Sequence, residues 1–409
     1  IDGDSGRINR QPTHKGTAFP VTPSFGSAAS PVLSPDRTYL LYVHSFEKKD
    51  CLGLVDAEGK AWPVKLVSGE DFYMQPCWHP DGRSIAWISW NHPQMPWDGT
   101  MLNLGALEEL EGKLNLRDVV PITGGEDVSI FQPKFSPDGR YLAYISDSSN
   151  LDDHTDAGEE AEPGRWWQLY TYDLYRGEHT RLTNVHAEHG IPAWVQGLGT
   201  YDFSPDGGSI YFLRNQDARI SIWKVDLGTK EESQIETEPE YSWFNQIAVS
   251  PKGDELATIA SGGSMPSRVI KIKLQGGTVV AKRSMPENLD SEYYSKPESI
   301  QWEGMDGGSV HGIFYSPKSG AFEGKGLAPL MVLVHGGPTS QKGTSFDLQA
   351  QFFTSRGWAV LQVNYRGSTG YGREYRDQLK GNWGIYDVQD SVSGALNLVD
   401  SGDVDKDKM

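Results

Sequence analysis

Between Ser34 and Ile259 the alternation of polar and apolar positions repeats one phrase five times. Ser34-Pro35-Asp36 is followed by Tyr39-Leu40-Leu41-Tyr42-Val43, and His79-Pro80-Asp81-Gly82 by Ile85-Ala86-Trp87-Ile88. Ser136-Pro137-Asp138-Gly139 precedes Tyr141-Leu142-Ala143-Tyr144-Ile145, and Ser204-Pro205-Asp206-Gly207 precedes Ile210-Tyr211-Phe212-Leu213. The fifth copy, Ser250-Pro251-Lys252-Gly253 before Leu256-Ala257-Thr258-Ile259, carries lysine for aspartate. Each reads as a turn between two strands, because proline presets φ and glycine accepts φ > 0. The copies recur every ~45 to ~70 residues, matching the ~40–50 residue period of four-stranded propeller blades, the longer intervals being units with loop insertions. A second echo, an outer strand with a turn, recurs as Leu54-Val55-Asp56 to Gly59, Tyr170-Thr171-Tyr172-Asp173 to Gly177, and Ile222 to Gly228. The opening Asp2, Gly6, Arg10, Thr13 has the layout of Asp173, Gly177, Arg181, Thr183, so the chain is expected to begin partway through a repeat.

From about Tyr294 the pattern changes. Glu298 to Trp302, the turn Asp306-Gly307-Gly308 and Val310 to Tyr315 predict an antiparallel hairpin, and Pro317 to Gly326 a loop. The unbroken apolar run from Pro329 to Val334, closed by His335-Gly336-Gly337-Pro338, predicts a buried parallel strand delivering a tight loop. Phe346 to Arg356 is helical in character and Gly357 ends it. Trp358 to Asn364 is a second buried strand with Tyr365 to Gly372 as its exit loop, and Val388, Val392, Ala395, Leu396 and Val399 recur at helical spacing. Strand, helix, strand, helix opens a parallel α/β sheet. The expected architecture is a β-propeller of several four-stranded blades (1–294) followed by the N-terminal part of an α/β-hydrolase domain (295–409).

Composition narrows the function. Lys+Arg 37 against Asp+Glu 55 leaves a net charge of -18, which disfavours a nucleic-acid or anionic-membrane surface. The 13 Trp, 18 Tyr and 46 Gly suit short strands joined by tight turns. Cys51 and Cys77 provide no disulfide framework, and no apolar stretch is long enough to cross a bilayer. The compartment is left open with the cytoplasm favoured, as is a homo-oligomer, and no metal or organic cofactor is indicated. Two insertions have alternative readings. Asn91 to Thr100, with Trp97 and Asp98, is either a packed Trp-Pro turn or the lining of a central cavity. The acidic stretch from Asp152 to Glu162 suggests calcium by charge but lacks the ordered ligand spacing and turn glycine of a calcium loop, which favours a solvated loop.

Candidate chemistry sits at the end of the first parallel strand, where α/β sheets place ligands. A glycine there lets the backbone approach a substrate, and its N–H can stabilise the oxyanion formed when a serine attacks an acyl carbon. The blade repeats, His335-Gly336-Gly337-Pro338, Asn364 to Gly372, Trp90-Asn91-His92-Pro93, Met95 to Thr100, Trp383-Gly384, Asp387 and Asp390 together resemble the prolyl oligopeptidase family of serine peptidases, in its acylaminoacyl-peptidase and dipeptidyl-peptidase-like branch. The resemblance implies cleavage of short peptides through an acyl-serine intermediate, with the propeller excluding folded proteins. It makes the Gly337 N–H half of an oxyanion hole beside Gly336. His335 stands where some relatives carry a tyrosine whose hydroxyl does that work, and either acts directly or shapes the turn. Tyr365 and Arg366 are candidates for meeting substrate or for anchoring loops at the domain interface. No Gly-x-Ser-x-Gly elbow occurs, so the triad Ser, Asp and His are expected outside this chain, which reads as an internal fragment with no activity of its own. A non-catalytic binding platform and an esterase are the competing readings.

Overall fold

The computed structural model describes residues 1–14, 16–110, 112–148, 165–286, 291–321 and 323–409. The acidic stretch from Asp152 to Glu162 lies outside the described residues. Five four-stranded antiparallel sheets follow one another, each a meander in chain order. The first blade is Ser27–Leu33, Tyr39–Phe46, Lys49–Asp56 and Val64–Val67. The second is Phe72–Trp78, Ser84–Trp90, Thr100–Leu110 and Lys113–Gly125. The third is Ile130–Phe135, Tyr141–Ser146, Gln168–Asp173 and Glu178–Arg181. The fourth is Tyr201–Phe203, Ser209–Gln216, Arg219–Asp226 and Glu232–Gln234, and the fifth Trp243–Val249, Glu255–Gly262, Met265–Lys273 and Thr278–Arg283. Two compact units emerge: the first three blades make one, and Val185–Pro192 with Gly199–Met409 form the bulk of the other, which holds the last two blades and the C-terminal sheet.

All five proline turns join the first strand of a blade to the second. In each, the amide of the fourth turn residue donates to the carbonyl of the first, from Arg37, Gly82, Gly139, Gly207 and Gly253 to Ser34, His79, Ser136, Ser204 and Ser250. That fourth residue has φ between 63° and 74°, which explains the glycines and leaves Arg37 in a left-handed conformation unfavourable for an L side chain. The Asp-to-Gly echo ends the third strand rather than an outer one and hands the chain to the fourth. The same closure recurs at the start, where Gly6 N–H donates to Asp2 O as Gly177 N–H does to Asp173 O.

A feature not anticipated from the repeats lies four residues before four of the five turns, the Ser204 turn being the exception. Ser30, Gln75, Gln132 and Gln246 all have φ between 46° and 59°, each at a bulge in the first strand of its blade. In the first unit, side-chain amides capture donors that the bulges push out of the ladder. Gln75 Oε1 accepts the Gln132 N–H at 2.5 Å, and Gln196 Oε1 accepts the Gln75 N–H at 3.3 Å and the Ser30 hydroxyl at 2.6 Å. Gln75→Ala strands the buried Gln132 amide and is expected to cost about 1–3 kcal/mol in urea unfolding; a loss below about 0.5 kcal/mol would mean that another acceptor serves it.

In the Asn91 to Thr100 insertion, Trp97 is buried with its ring centroid 4.4 Å from that of Trp194. Asn91, His92 and Gln94 border a pocket of about 280 Å³ whose lining residues all fall between Glu70 and Glu126, at the second blade, and do not include Trp97 or Asp98.

The C-terminal sheet contains β1 (Pro297–Glu303), β2 (Ser309–Tyr315), β3 (Leu330–Val334) and β4 (Ala359–Asn364), in the order β1-β2-β4-β3. Only β3 and β4 are parallel; β1 with β2 and β2 with β4 are antiparallel. The sheet is therefore mixed, the hairpin being part of it. Helix α1 (Leu348–Thr354) crosses from β3 to β4, its N-terminus capped by Asp347 accepting the Ala350 N–H. Helices α2 (Gly372–Asp377) and α3 (Tyr386–Asp400) follow.

One expectation needs correcting. Strand β3 is only partly buried, from Leu330 at 2% exposed to Val334 at 51%, because it is an edge among the described strands. Its start alone is partnered on that side, by the parallel bridge Ala328 to Val404 and by Leu330 N–H donating to Lys408 O. On α3, Val388, Val392 and Leu396 are exposed, while Asp390, Ser393, Gly394 and Leu398 face the core. Close approach decides the helix's orientation: Ser393 Oγ accepts the Trp302 indole N–H at 3.0 Å. A Cβ on Gly394 would stand 2.6 Å from the Trp302 ring, so only glycine admits that contact. Trp302, Val310, Phe314, Leu361, Val363, Leu398 and Val404 pack together around it.

Candidate active site

The carboxyl ends of the parallel pair deliver two loops, 335–344 after β3 and 365–371 after β4. Residues at the end of β4 hold the first loop. The Asn364 side chain accepts the Lys342 N–H at 2.7 Å and donates to Lys342 O at 2.8 Å, supplying both halves of a backbone pairing. Thr369 N–H donates to Ser340 O. Within the second unit the loop is also fastened to the blades: Thr344 N–H donates to Ala218 O, the Ser242 hydroxyl to Thr344 O, and Phe346 N–H to Ser261 Oγ. Gly343 lies so close to Trp243 that a Cβ would fall 1.9 Å from its ring.

Gly336 and Gly337 are exposed at the bend, and Gly337 has φ 54°. Neither N–H has an acceptor among the described residues. A Cβ on Gly336 would meet nothing within 4 Å, so crowding by the protein does not explain this glycine. An exposed amide without a protein acceptor is what a backbone donor to a ligand requires.

His335 is turned back into the protein. Its Nε2 lies 2.8 Å from Ser368 Oγ and its ring stacks on Tyr365 at 4.7 Å between centroids. Burial lowers its pKa to about 4. The Tyr365 hydroxyl donates to His335 O at 3.2 Å, and burial raises its pKa. Nearby, His311 is sandwiched against Tyr371 at 4.1 Å and touches Tyr375 edge-on, and burial lowers its pKa to about 4 as well.

Arg366 is placed differently from either expectation. It is 2% exposed and its guanidinium is shared between Asp390 on α3 and Asp306 in the β1–β2 turn, with N–O distances from 2.7 to 3.1 Å. Asp390 also accepts the Arg366 backbone N–H, and the cation lies 3.9 Å from the Tyr386 ring centroid. Burial opposes the arginine's charge, but the two carboxylates outweigh it and raise its pKa, while the Arg366 hydrogen bonds lower that of Asp306. Arg366 is thus an anchor within the C-terminal sheet. The sequence reading missed Asn364 and Ser368 as holders of the loops; a polar residue ending an otherwise apolar strand was the available signal for Asn364.

Among the described residues no three His, Cys, Asp or Glu side chains are grouped to hold a metal ion, and no helix is long and apolar enough to cross a membrane.

Antiparallel four-stranded blades followed by a mixed sheet whose parallel strands end in a Gly-Gly loop define a propeller joined to α/β-hydrolase structure. Residues 344–409 match the model of the prolyl oligopeptidase family, the family that the sequence resembles. It is 24% identical over 362 residues to dipeptidyl-peptidase 5 of Porphyromonas gingivalis, covering 87% of this chain and 48% of that protein. It is 40% identical over 353 residues to the acylamino-acid-releasing enzyme of Homo sapiens, covering 80% of this chain and 44% of that one. Among solved structures, a puromycin-hydrolyzing peptidase of Mycobacterium tuberculosis superposes with a TM-score of 0.85 at 30% identity, over 98% of this chain and 61% of that chain. The chain spans about half the length of these two curated relatives.

Proposed function

We propose that the protein is a serine-type peptidase that hydrolyses short peptides, of the acylaminoacyl- or dipeptidyl-peptidase kind, through an acyl-serine intermediate. The observation that carries this reading is the pair of unengaged amides at Gly336 and Gly337, at the carboxyl end of a parallel strand and held by a loop that both β4 and the blades immobilise. Donors fixed before substrate arrives cost no reorganisation when negative charge develops on the carbonyl oxygen, and one of them is worth about 3 kcal/mol. In this role Gly337 N–H meets the oxyanion, Gly336 keeps the approach open, and His335 shapes the turn. The blades, residues 1–294, form the domain that restricts access, and 295–409 open the catalytic domain. Val404 bridges Ala328 in parallel and, after a turn closed by Lys408 N–H on Asp405 O, Lys408 O accepts the Leu330 N–H, so these residues come alongside β3, where an α/β-hydrolase places the strand that leads to its nucleophile elbow.

The test uses the full-length protein with acyl-peptide and dipeptide substrates. Gly337→Val, whose β-branched side chain resists φ near 54°, is expected to lower kcat roughly 10²- to 10³-fold with KM little changed. An unaltered kcat would remove the loop from the oxyanion role. Residues 1–409 alone contain no Gly-x-Ser-x-Gly and are expected to turn over neither substrate; measurable turnover would place the nucleophile elsewhere.

A further inference from the structure

We propose that Tyr365 and Ser368 are positioning residues that lock the direction of the Gly336 amide, Tyr365 by holding the carbonyl of the same peptide plane and Ser368 by fixing the His335 ring in one tautomer. The proposal rests on the oxyanion reading for its consequence and on hydrogen-bond geometry for the lock itself.

A peptide unit is planar, with its C=O and N–H pointing opposite ways. The His335 carbonyl and the Gly336 N–H belong to one such unit. The Tyr365 hydroxyl donates to that carbonyl at 3.2 Å, so it sets where the Gly336 N–H points and, by drawing charge from the oxygen, makes the N–H a better donor. Tyr365 is itself 5% exposed, with its ring against His335, which leaves the hydroxyl little freedom to swing away.

The Ser368 contact fixes a proton. A serine hydroxyl has one hydrogen. Ser368 Oγ lies 2.7 Å from Tyr365 O, a carbonyl that can only accept, and the lock places its hydrogen there. His335 Nε2, 2.8 Å from the same Oγ, is then the donor, whereas the opposite assignment would send the Ser368 hydrogen to Nε2 and an Nδ1–H to Gly336 O. In the neutral ring this leaves Nδ1 bare, 3.4 Å from Gly336 O, the carbonyl whose peptide plane carries the Gly337 N–H. A ring of the other tautomer would place a proton at Nδ1 and pull on Gly336 O, tilting the second plane. Ser368, fully buried, thus keeps His335 from engaging the plane on which the Gly337 donor depends. His335 is neither acid nor base here; it is a spacer whose proton has been placed away from the glycine loop.

Two measurements separate the lock from its use. In the full-length protein labelled with ¹⁵N-histidine, His335, assigned by its absence in His335→Gln, is expected to show the Nε2–H tautomer at pH 7. Ser368→Ala should allow the Nδ1–H form to appear, while Ser368→Thr, which keeps the hydroxyl, should restore the original pattern. An Nδ1–H ring in the unaltered protein, or no change in Ser368→Ala, overturns the proposal. In the full-length enzyme, Tyr365→Phe should lower kcat roughly ten- to a hundred-fold at nearly constant KM, the scale expected when a reacting group is misaimed. A tautomer shift in Ser368→Ala with no kinetic effect of Tyr365→Phe would uphold the Ser368 half of the lock and reject a donor role for the Gly336 amide, while the Gly337→Val result judges the oxyanion reading itself. Loss of kcat in Tyr365→Phe without any tautomer change in Ser368→Ala would reject the Ser368 half of the lock.

Discussion

Replacing Arg366 with alanine is expected to destabilise the C-terminal sheet by about 3–5 kcal/mol, the range for removing one partner of a buried ion pair. Asp390 is wholly buried and Arg366 nearly so, and without the guanidinium the Asp390 carboxylate keeps only the Arg366 backbone amide among its three donor groups from that residue. Asp306, being 42% exposed, can return to water and adds little to the loss. The pair itself is not expected to be a large net source of stability, because taking both charges out of water opposes their attraction. Arg366→Met combined with Asp390→Leu should therefore recover most of what Arg366→Ala loses. Urea unfolding followed by tryptophan fluorescence measures both; a cost below about 1 kcal/mol for the single change would mean the clamp behaves as a surface pair.

Acidification from pH 6.5 towards 4 should destabilise the same unit, the upper part of that fall preceding the titration of its carboxylates. His335 and His311 fall from 6.5 to about 4 in the folded protein through burial. The unfolded chain thus takes up a proton that the folded chain refuses. Their neutral burial costs nothing extra above pH 6.5, and stability declines as pH falls from 6.5 towards 4, where both states are protonated. At about 1.4 kcal/mol per pH unit each histidine accounts for up to roughly 3 kcal/mol, less where water reaches the ring. Asp306 and Asp347, whose pKa values are lowered, lose their contributions at lower pH, as it falls through their folded-state values. His311→Phe, which keeps the stacking on Tyr371, should remove about half of the pH 6.5–4 dependence. An unchanged slope in that variant would show that His311 is already charged at pH 6.

The blades were legible because their signal is local and repeated. A Pro-Asp-Gly turn needs only its own residues, and five copies expose the period even where Arg37 replaces glycine or Lys252 replaces aspartate. The Gln75 and Gln132 bulges were not, since a glutamine four residues before a turn has no meaning until the neighbouring strand's amide is placed beside it. On α3 the apolar spacing marked a helix, but of its five residues only Ala395 and Val399 pack on the core. The side that packs is built from Asp390, Ser393 and Gly394, chosen for an arginine, an indole N–H and a close approach that lie far off in sequence. The edge position of β3 was hidden for a related reason, because apolar content reports a strand's preference for burial and not how many neighbours it finds. At the site, Gly336 and Gly337 stood out by composition, whereas the roles of Asn364 and Ser368 depend on atoms of another loop.

The two-point grip of Asn364 on Lys342 also bears on how the molecule comes together. A side chain that imitates a backbone neighbour can do so only after β4 has been laid down beside β2 and β3, so the curl carrying the two glycines has no template during early collapse. It is a late-acquired shape, inherited from the sheet's interior instead of from its own residues. Amide exchange at Lys342 should accordingly follow the opening of β4, and not the fraying of a surface loop.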